Sequence, residues 1–368
     1  MSDDQVRIGI IGCGQIAQHH MRTYSQMSNV RMVACADVNP AATAKAQADF
    51  GIEHAYADFR ELLKRDDLDA VDVCLHNNLH RPVTVEALQS GKHVYCEKPI
   101  AGSYADGKAM VDTAKSTGKH LHIQLSTLYS NETQAAKELI DLGELGHIYH
   151  ARSTGHRRKG RPYVDGYGTP NFVQKRHASG GALYDMGVYH IARILYLIGN
   201  PAVEKVSGKT YDEVPMHEGR RTGGQWDVEE LGLGFVRMAG GLTLDIIESW
   251  AINLDKFDGS VVVGSHGGVR LNPFGFFKSY GYIDISAEAD LWGAKYRWDN
   301  VRGDGAYYGD SQHHWIAALQ GKVELLPTAE IALNTMLISE AIYRSNELDR
   351  EVTAAEVAEA SVSTAIEV

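Results

Sequence analysis

Two short segments carry most of the chemistry legible in this chain. Gly12-Cys13-Gly14-Gln15-Ile16-Ala17 is a G-x-G-x-x-A run between the apolar stretch Val6–Ile11 and a segment with helical spacing. In such a turn the first glycine permits a tight bend and the second lets a pyrophosphate reach the backbone. The alanine lets helix and strand pack closely, while free N–H groups and the helix dipole favour the phosphate charge. Asp37 stands 23 residues after Gly14, at the end of the next apolar run, where a carboxylate accepts both ribose hydroxyls of a dinucleotide. That carboxylate repels a 2′-phosphate, and Val38-Asn39-Pro40 brings no arginine beside it. The expected cofactor is therefore NAD rather than NADP, held around Gly12, Cys13, Gly14, Gln15, Ile16 and Asp37.

The second segment is Gly91-Lys92-His93-Val94-Tyr95-Cys96-Glu97-Lys98-Pro99, an apolar run that ends in a charged pair and a proline. Carboxyl ends of parallel strands face the ligand crevice, so Lys98 is expected to project toward the cofactor. Metal chemistry has little support. His120-x-His122 would share one side of a strand but has no third ligand at a fitting spacing, and His19-His20 and His313-His314 are adjacent pairs that do not share a helical face. No metal is expected.

The elements that must position these groups alternate at first. Val6–Ile11, 32–36, 70–75, 93–96 and 120–125 read as buried strands, separated by segments of helical length, two of which stop at Gly91 and Gly118. That rhythm implies βαβ units and a parallel sheet. Past residue 145 the pattern changes to 148–154, 203–211, 229–238, 242–250, 261–263 and 269–271, with hairpin turns at Ala239-Gly240-Gly241 and 264–268. One helix, 183–198, interrupts the series, and the chain turns helical again from Gln312. The expected fold is an α/β Rossmann domain, residues 1–125, followed by an α+β domain, residues 126–368, with an open, largely antiparallel sheet. The C-terminal helices are expected to pack back on the first domain.

Composition narrows the class. The 368 residues carry a formal net charge of −11, which argues against a nucleic-acid footprint, and no apolar run approaches the roughly 18 residues needed to span a bilayer. The acidic start Met1-Ser2-Asp3-Asp4-Gln5 does not resemble a signal peptide. Cys13, Cys35, Cys74 and Cys96 form no CxxC pair and lie in apolar runs, so buried thiols in a reducing cytoplasm are expected. Of 37 glycines, 28 fall between residues 143 and 309, which is read as a turn-rich sheet domain.

Taken with Gly180-Gly181-Ala182-Leu183-Tyr184-Asp185-Met186-Gly187-Val188-Tyr189-His190, the two segments make the chain resemble the glucose–fructose oxidoreductase, inositol dehydrogenase and rhizopine-catabolism family, Gfo/Idh/MocA. The resemblance runs over nearly the whole chain and is strongest to about residue 200. It implies oxidation or reduction of a secondary hydroxyl of a pyranose sugar or cyclic polyol. It also implies a homo-oligomer, dimer or tetramer, built through the antiparallel sheet. Lys98 matches the family's catalytic lysine and Asp185 its aspartate. Where many members carry histidine four residues after that aspartate, this chain has Tyr189, with His190 one place on. On an α-helix Asp185 and Tyr189 share a face while His190 turns about 100° away, so Tyr189 is the expected proton relay and His190 the alternative.

Further positions follow from the same resemblance. After the strand ending at Leu75 the family pattern is kept at Asn78, Leu79 and His80 but not at His76 and Asn77. Asn78, His80, Glu97 and Lys98 are thereby expected near the cofactor, with helix capping the other reading of His80. Substrate contacts are expected from Lys98, Gln124, Tyr129, Arg157, Tyr163, Gln174, Lys175, Asp185 and Tyr189, while Trp226 and Trp250 fit either core packing or stacking on a sugar ring. Two other functions use the same parts: glycoside cleavage through transient oxidation, and a non-catalytic NAD-dependent sugar sensor.

Overall fold

The computed structural model describes residues 5–368; the acidic residues 1–4 discussed above lie outside them. Two sheets organise the chain. The first contains β1 (Val6–Ile11), β2 (Val30–Ala36), β3 (His54–Tyr56), β4 (Ala70–Val73), β5 (His93–Cys96) and β6 (Leu121–Ile123) in the order β3-β2-β1-β4-β5-β6. Every pairing in it is parallel, the arrangement of a doubly wound dinucleotide-binding sheet. Ile8, Ile10, Val71, Val73, Val94 and Tyr95 are fully buried, which explains why these strands read as unbroken apolar runs.

The second sheet has nine strands: β7 (Ile148–His156), β8 (Val203–Tyr211), β9 (Leu231–Met238), β10 (Thr243–Ser249), β11 (Val261–Gly264), β12 (Gly268–Arg270), β13 (Gly275–Tyr280), β14 (Ile283–Ala287) and β15 (Val352–Thr353). Their order is β14-β13-β12-β11-β7-β10-β9-β8-β15, and only β7 and β10 pair in parallel. The sheet is mixed but largely antiparallel, as expected. The β13–β14 hairpin is an addition to the expected strands: β14 alternates apolar and polar residues but is exposed along most of its length. One face of β8 and β9 is covered by the helix Thr328–Leu348, which also touches the helix Tyr104–Thr117 of the first half.

Local sequence accounts for several boundaries. Ser103 caps the helix Tyr104–Thr117, and Gly118 ends it at φ 65°. The helix that stops before Gly91 runs Asn77–Gln89 and carries Pro82 inside it. Proline has no N–H for the carbonyl of Asn78 four residues back. The Ile366 N–H takes that carbonyl at 3.0 Å, so a distant segment replaces the missing helical bond. Ser363 and Thr364 bond the Asp106 carboxylate in the same region.

The C-terminal helices do more than cover a surface. Trp315 and Ile316, on the helix Ser311–Leu319, are buried in the core formed by Val6, Ile8, Ile10, Met21 and Tyr95. All four cysteines are buried free thiols. Among the described residues no helix is long and apolar enough to cross a membrane. Trp315→Ala should lower the stability of the chain by about 3–5 kcal/mol in urea unfolding, because the cavity it leaves lies within the first sheet's core.

Candidate active site

The turn after β1 has the geometry its glycines imply. Gly12 sits at φ +86°, and a Cβ there would run into the Cys74 carbonyl and lie 2.8 Å from Leu75 Cδ2. A Cβ on Gly14 would meet nothing within 4 Å, so the backbone at Gly14 faces open space. Ala17 is fully buried against the sheet, while Gln15 and Ile16 are exposed at the turn. Asp37 accepts the Cys13 N–H through Oδ2 at 2.7 Å and the Asn39 N–H through Oδ1 at 2.8 Å. These bonds fix the carboxylate at the end of β2 beside the glycine turn. An open backbone cradle with an anchored carboxylate at its edge fits an NAD pyrophosphate and ribose.

Lys98 follows β5 and is tied down from both directions. Behind it, Glu97 accepts the Lys98 N–H at 3.0 Å and approaches His20 Nε2 at 3.0 Å, an ionic contact without good hydrogen-bond direction. His20 Nδ1 is 2.9 Å from Asp72, whose other oxygen accepts Cys74 Sγ–H at 3.3 Å. Burial opposes charge on His20, but Asp72 and Cys74 outweigh it and raise its pKa well above the ordinary imidazole value. The result is a buried carboxylate–imidazolium–carboxylate chain beneath the lysine. Burial disfavours the Glu97 carboxylate too, yet His20 and Lys98 hold its pKa below the usual range.

In front, Lys98 Nζ meets Asp185 Oδ1 at 3.1 Å and the Asp185 carbonyl at 3.3 Å, and it lies 4.7 Å from the centre of the Tyr189 ring. Trp250 Nε1 donates to the other carboxylate oxygen, Asp185 Oδ2, at 3.0 Å. Glu229 accepts the N–H groups of Gly181 and Leu183, both at 2.9 Å, and so caps the segment that carries Asp185. Burial by itself pushes the Lys98 pKa down. The charges of Asp185, Tyr189 and Glu97 exceed that effect, and the pKa is raised. Asp185 is correspondingly held low despite its burial, chiefly by Lys98. Burial raises the Tyr189 phenol.

His190 departs from its expected position. The segment Leu183–Gly187 is a single π-helical turn, and the α-helix Val188–Leu197 begins after it. An i→i+5 turn returns the fifth residue toward the starting face, so His190 is not rotated out of the site as an α-helix would require. Asp185, Tyr189 and His190 all line a cavity of about 460 Å³, together with Thr127, Thr154 and Arg157. His156 and Phe257, packed edge to face at 5.1 Å, form part of its wall.

Several residues expected here are employed elsewhere. Asn78 is buried, with Nδ2 on the Arg176 carbonyl and Oδ1 accepting Ser179 and Thr364, so its side chain joins loops and offers nothing to a cofactor. Both ring nitrogens of His80 lie against backbone carbonyls, those of Pro99 and Leu75. The Glu97 carboxylate is engaged with His20 and the Lys98 N–H and so supports the lysine. Tyr129 packs in the core against His314 with its hydroxyl 3.4 Å from His122. Tyr163 lies under Arg220 beside Gly224, and Gln174 bonds the Gly224 carbonyl and Arg176. Lys175 borders a separate cavity with Tyr343 and Arg344. All four belong to positions whose side chains were equally suited to packing. Gln124 fits better: it follows β6, and its Oε1 is buried with no partner among the described residues.

Trp226 packs edge-on against Trp250, so neither presents a face to a sugar. Sequence reasoning gave Trp250 no bond to Asp185 and passed over Glu248, a fully buried carboxylate within Ile246-Ile247-Glu248-Ser249-Trp250. A charge inside such an apolar run was the available signal.

Known proteins place this geometry. The model of an oxidoreductase family with an NAD-binding Rossmann fold matches residues 6–125, and the model of the GFO/IDH/MocA C-terminal domain matches residues 133–270. D-glucoside 3-dehydrogenase of Escherichia coli K12 is 28% identical over 360 residues, covering 96% of this chain and 98% of that protein. Myo-inositol 2-dehydrogenase of Thermotoga maritima is 27% identical over 199 residues, covering 54% of this chain and 57% of that protein. Among solved structures, an oxidoreductase domain protein from Kribbella flavida superimposes with a TM-score of 0.80 at 18% identity, covering 95% of this chain and 99% of that one.

Two substitutions probe the geometry directly. Trp250→Phe keeps most of the packing but removes the bond to Asp185, and should lower kcat/KM about 10- to 100-fold with little change in thermal midpoint. Asp37→Ser should weaken NAD binding about 10-fold in titration calorimetry without weakening NADP, since it removes a ribose acceptor that also repels the 2′-phosphate.

Proposed function

This chain belongs to the Gfo/Idh/MocA family of NAD-dependent sugar and polyol dehydrogenases, and from that premise we propose that it oxidises a secondary hydroxyl of a pyranose sugar or cyclic polyol, or reduces the ketone. The observation that carries this reading is the meeting of Lys98, at the carboxyl end of the parallel sheet, with Asp185 and Tyr189 from the other half of the chain. Similarity to a D-glucoside 3-dehydrogenase over nearly the full length of both chains supports a pyranoside as substrate.

The dinucleotide, when bound, supplies the hydride acceptor. The protein must then manage one proton and the orientation of a polyhydroxylated ring. Lys98 starts as an ammonium because Asp185 holds it so. A substrate hydroxyl that enters between the two competes for Asp185 Oδ1 and weakens that hold. The amine form becomes accessible, and Nζ can take the hydroxyl proton while Asp185, kept in place by Trp250, orients the substrate oxygen. Tyr189 closes the other side of Nζ and is the nearest phenol to pass the proton outward.

The raised Lys98 pKa sets the sign of the pH dependence. Oxidation needs Lys98 unprotonated, so its kcat/KM should climb with pH from neutrality upward, whereas reduction should fall over the same range. Lys98→Arg should remove the rising limb in the pH–rate profile. A panel of methyl glucosides and myo-inositol with NAD, followed by absorbance of the reduced cofactor, tests the activity itself. Lys98→Ala should lose about 100- to 10,000-fold in turnover while still binding NADH by fluorescence. Retained turnover in that variant overturns the role given to Lys98.

We also place the homo-oligomer contact on the face of the second sheet away from the helix Thr328–Leu348, where Phe235 stands among Arg152, Asp245 and Arg237. Phe235→Glu should reduce the solution mass measured by light scattering toward that of one chain.

A further inference from the structure

Beyond Asp185 and Tyr189, the cavity is lined by a second organised polar group. His190 Nδ1 lies 2.8 Å from Glu248 Oε2. Glu248 is fully buried in β10, and its other oxygen accepts the Ser153 hydroxyl at 3.0 Å from β7. Buried Arg193, one turn further along the helix, adds positive charge toward the same carboxylate. A buried carboxylate is costly unless paired, and here it is paired on every side. The backbone has also been cleared for it. Gly155 sits inside β7, where glycine is unfavourable, and a Cβ at that position would collide with the His190 ring and the Glu248 carboxylate. Gly187 gives similar room, since its Cβ would stand 3.2 Å from Glu248 Cγ.

The consequence for His190 is a fixed orientation. Its Nδ1 is turned toward Glu248, so the neutral ring carries its proton there and keeps a lone pair on Nε2. The imidazole side chain retains 24% exposure and borders the same cavity as Asp185 and Tyr189. The π-helical turn makes this simultaneous presentation of residues 185, 189 and 190 possible.

We propose that His190, positioned by Glu248, accepts a hydrogen bond from a second substrate hydroxyl, distinct from the one being oxidised, and so selects the stereochemistry of the ring. This assignment rests on the sugar or polyol reading above. Lys98 and Asp185 engage the reacting hydroxyl; His190 Nε2 reads another one across the cavity. A substrate lacking that hydroxyl leaves Nε2 without a partner and is discriminated against.

Two variants separate reading from architecture. In His190→Asn the amide nitrogen can occupy the place of Nδ1 and keep the bond to Glu248, while nothing replaces Nε2. In His190→Gln the longer amide can reach the place of Nε2. The experiment measures kcat/KM for methyl D-glucopyranosides, myo-inositol and their monodeoxy analogues with the wild type and both variants, after thermal unfolding has shown that each variant is folded. For one deoxy position other than the oxidised carbon, the wild type should show a penalty of roughly 10- to 100-fold that disappears in His190→Asn and partly returns in His190→Gln. An unchanged penalty at every position in His190→Asn overturns the assignment while leaving the dehydrogenase reading intact. If the wild type neither turns over these compounds nor binds them in the presence of NADH by calorimetry, the functional reading fails and this assignment fails with it. Should neither variant fold, the penalty is read in Glu248→Leu, whose side chain cannot accept the Nδ1–H and which must also lose the penalty if Glu248 orients the ring.

Discussion

The ion pair between Lys98 and Asp185 spans the two halves of the chain. Lys98 is brought to it by the end of β5 and Asp185 by the π-helical turn Leu183–Gly187, and both side chains are largely enclosed, at 15% and 21% exposure. Removing one member of a buried pair strands the other charge at a cost of roughly 3–5 kcal/mol, so the contact fixes the spacing of the halves as well as the chemistry. Much of the surrounding structure serves its ends. Asp72, His20 and Glu97 stiffen the lysine side from within the first core. Glu229 and Trp250 do the same for the aspartate. The site is thus held on both sides by buried polar groups with defined partners.

The electrostatics give the pair a second property. With Asp185 in contact, Lys98 is stabilised as a cation. Whatever displaces that contact changes the basicity of the amine, so binding and activation are coupled through one carboxylate. A permanently neutral lysine would lack this link. Such a lysine would be a base in the empty site as readily as in the filled one.

Legibility in the sequence followed physical locality. Gly12, Gly14, Ala17 and Asp37 belong to one βαβ unit, and their spacing alone carries the cofactor geometry. Gly118 and the turn at 239–241 were readable because each fixes a backbone locally. Lys98 was readable because a charge at the end of an apolar strand has few places to go. What escaped was set by tertiary partners. Asn78 and His80 are of types that bind ligands or loops equally well, and only Ser179, Thr364 and the carbonyl of Pro99 decide between them. His190 was named only as the alternative to Tyr189, because a π-helical turn leaves no mark in the sequence. The glycine excess was read as hairpin turns, yet Gly155 lies inside a strand, where its missing Cβ admits the rings and carboxylates of other elements.

The Trp315 and Ile366 contacts reach back across almost the whole length of the chain. On the ribosome, residues 6–123 emerge first, and the strands of the parallel sheet can pair as they appear. The slot for Trp315 stays empty, and the Asn78 carbonyl unmatched, until some 190 to 240 further residues have been translated. The cofactor half is therefore complete in sequence well before it is complete in space. A nascent chain of this kind displays an apolar groove throughout the synthesis of its second sheet, and its packing is a closing event that joins late residues to early ones.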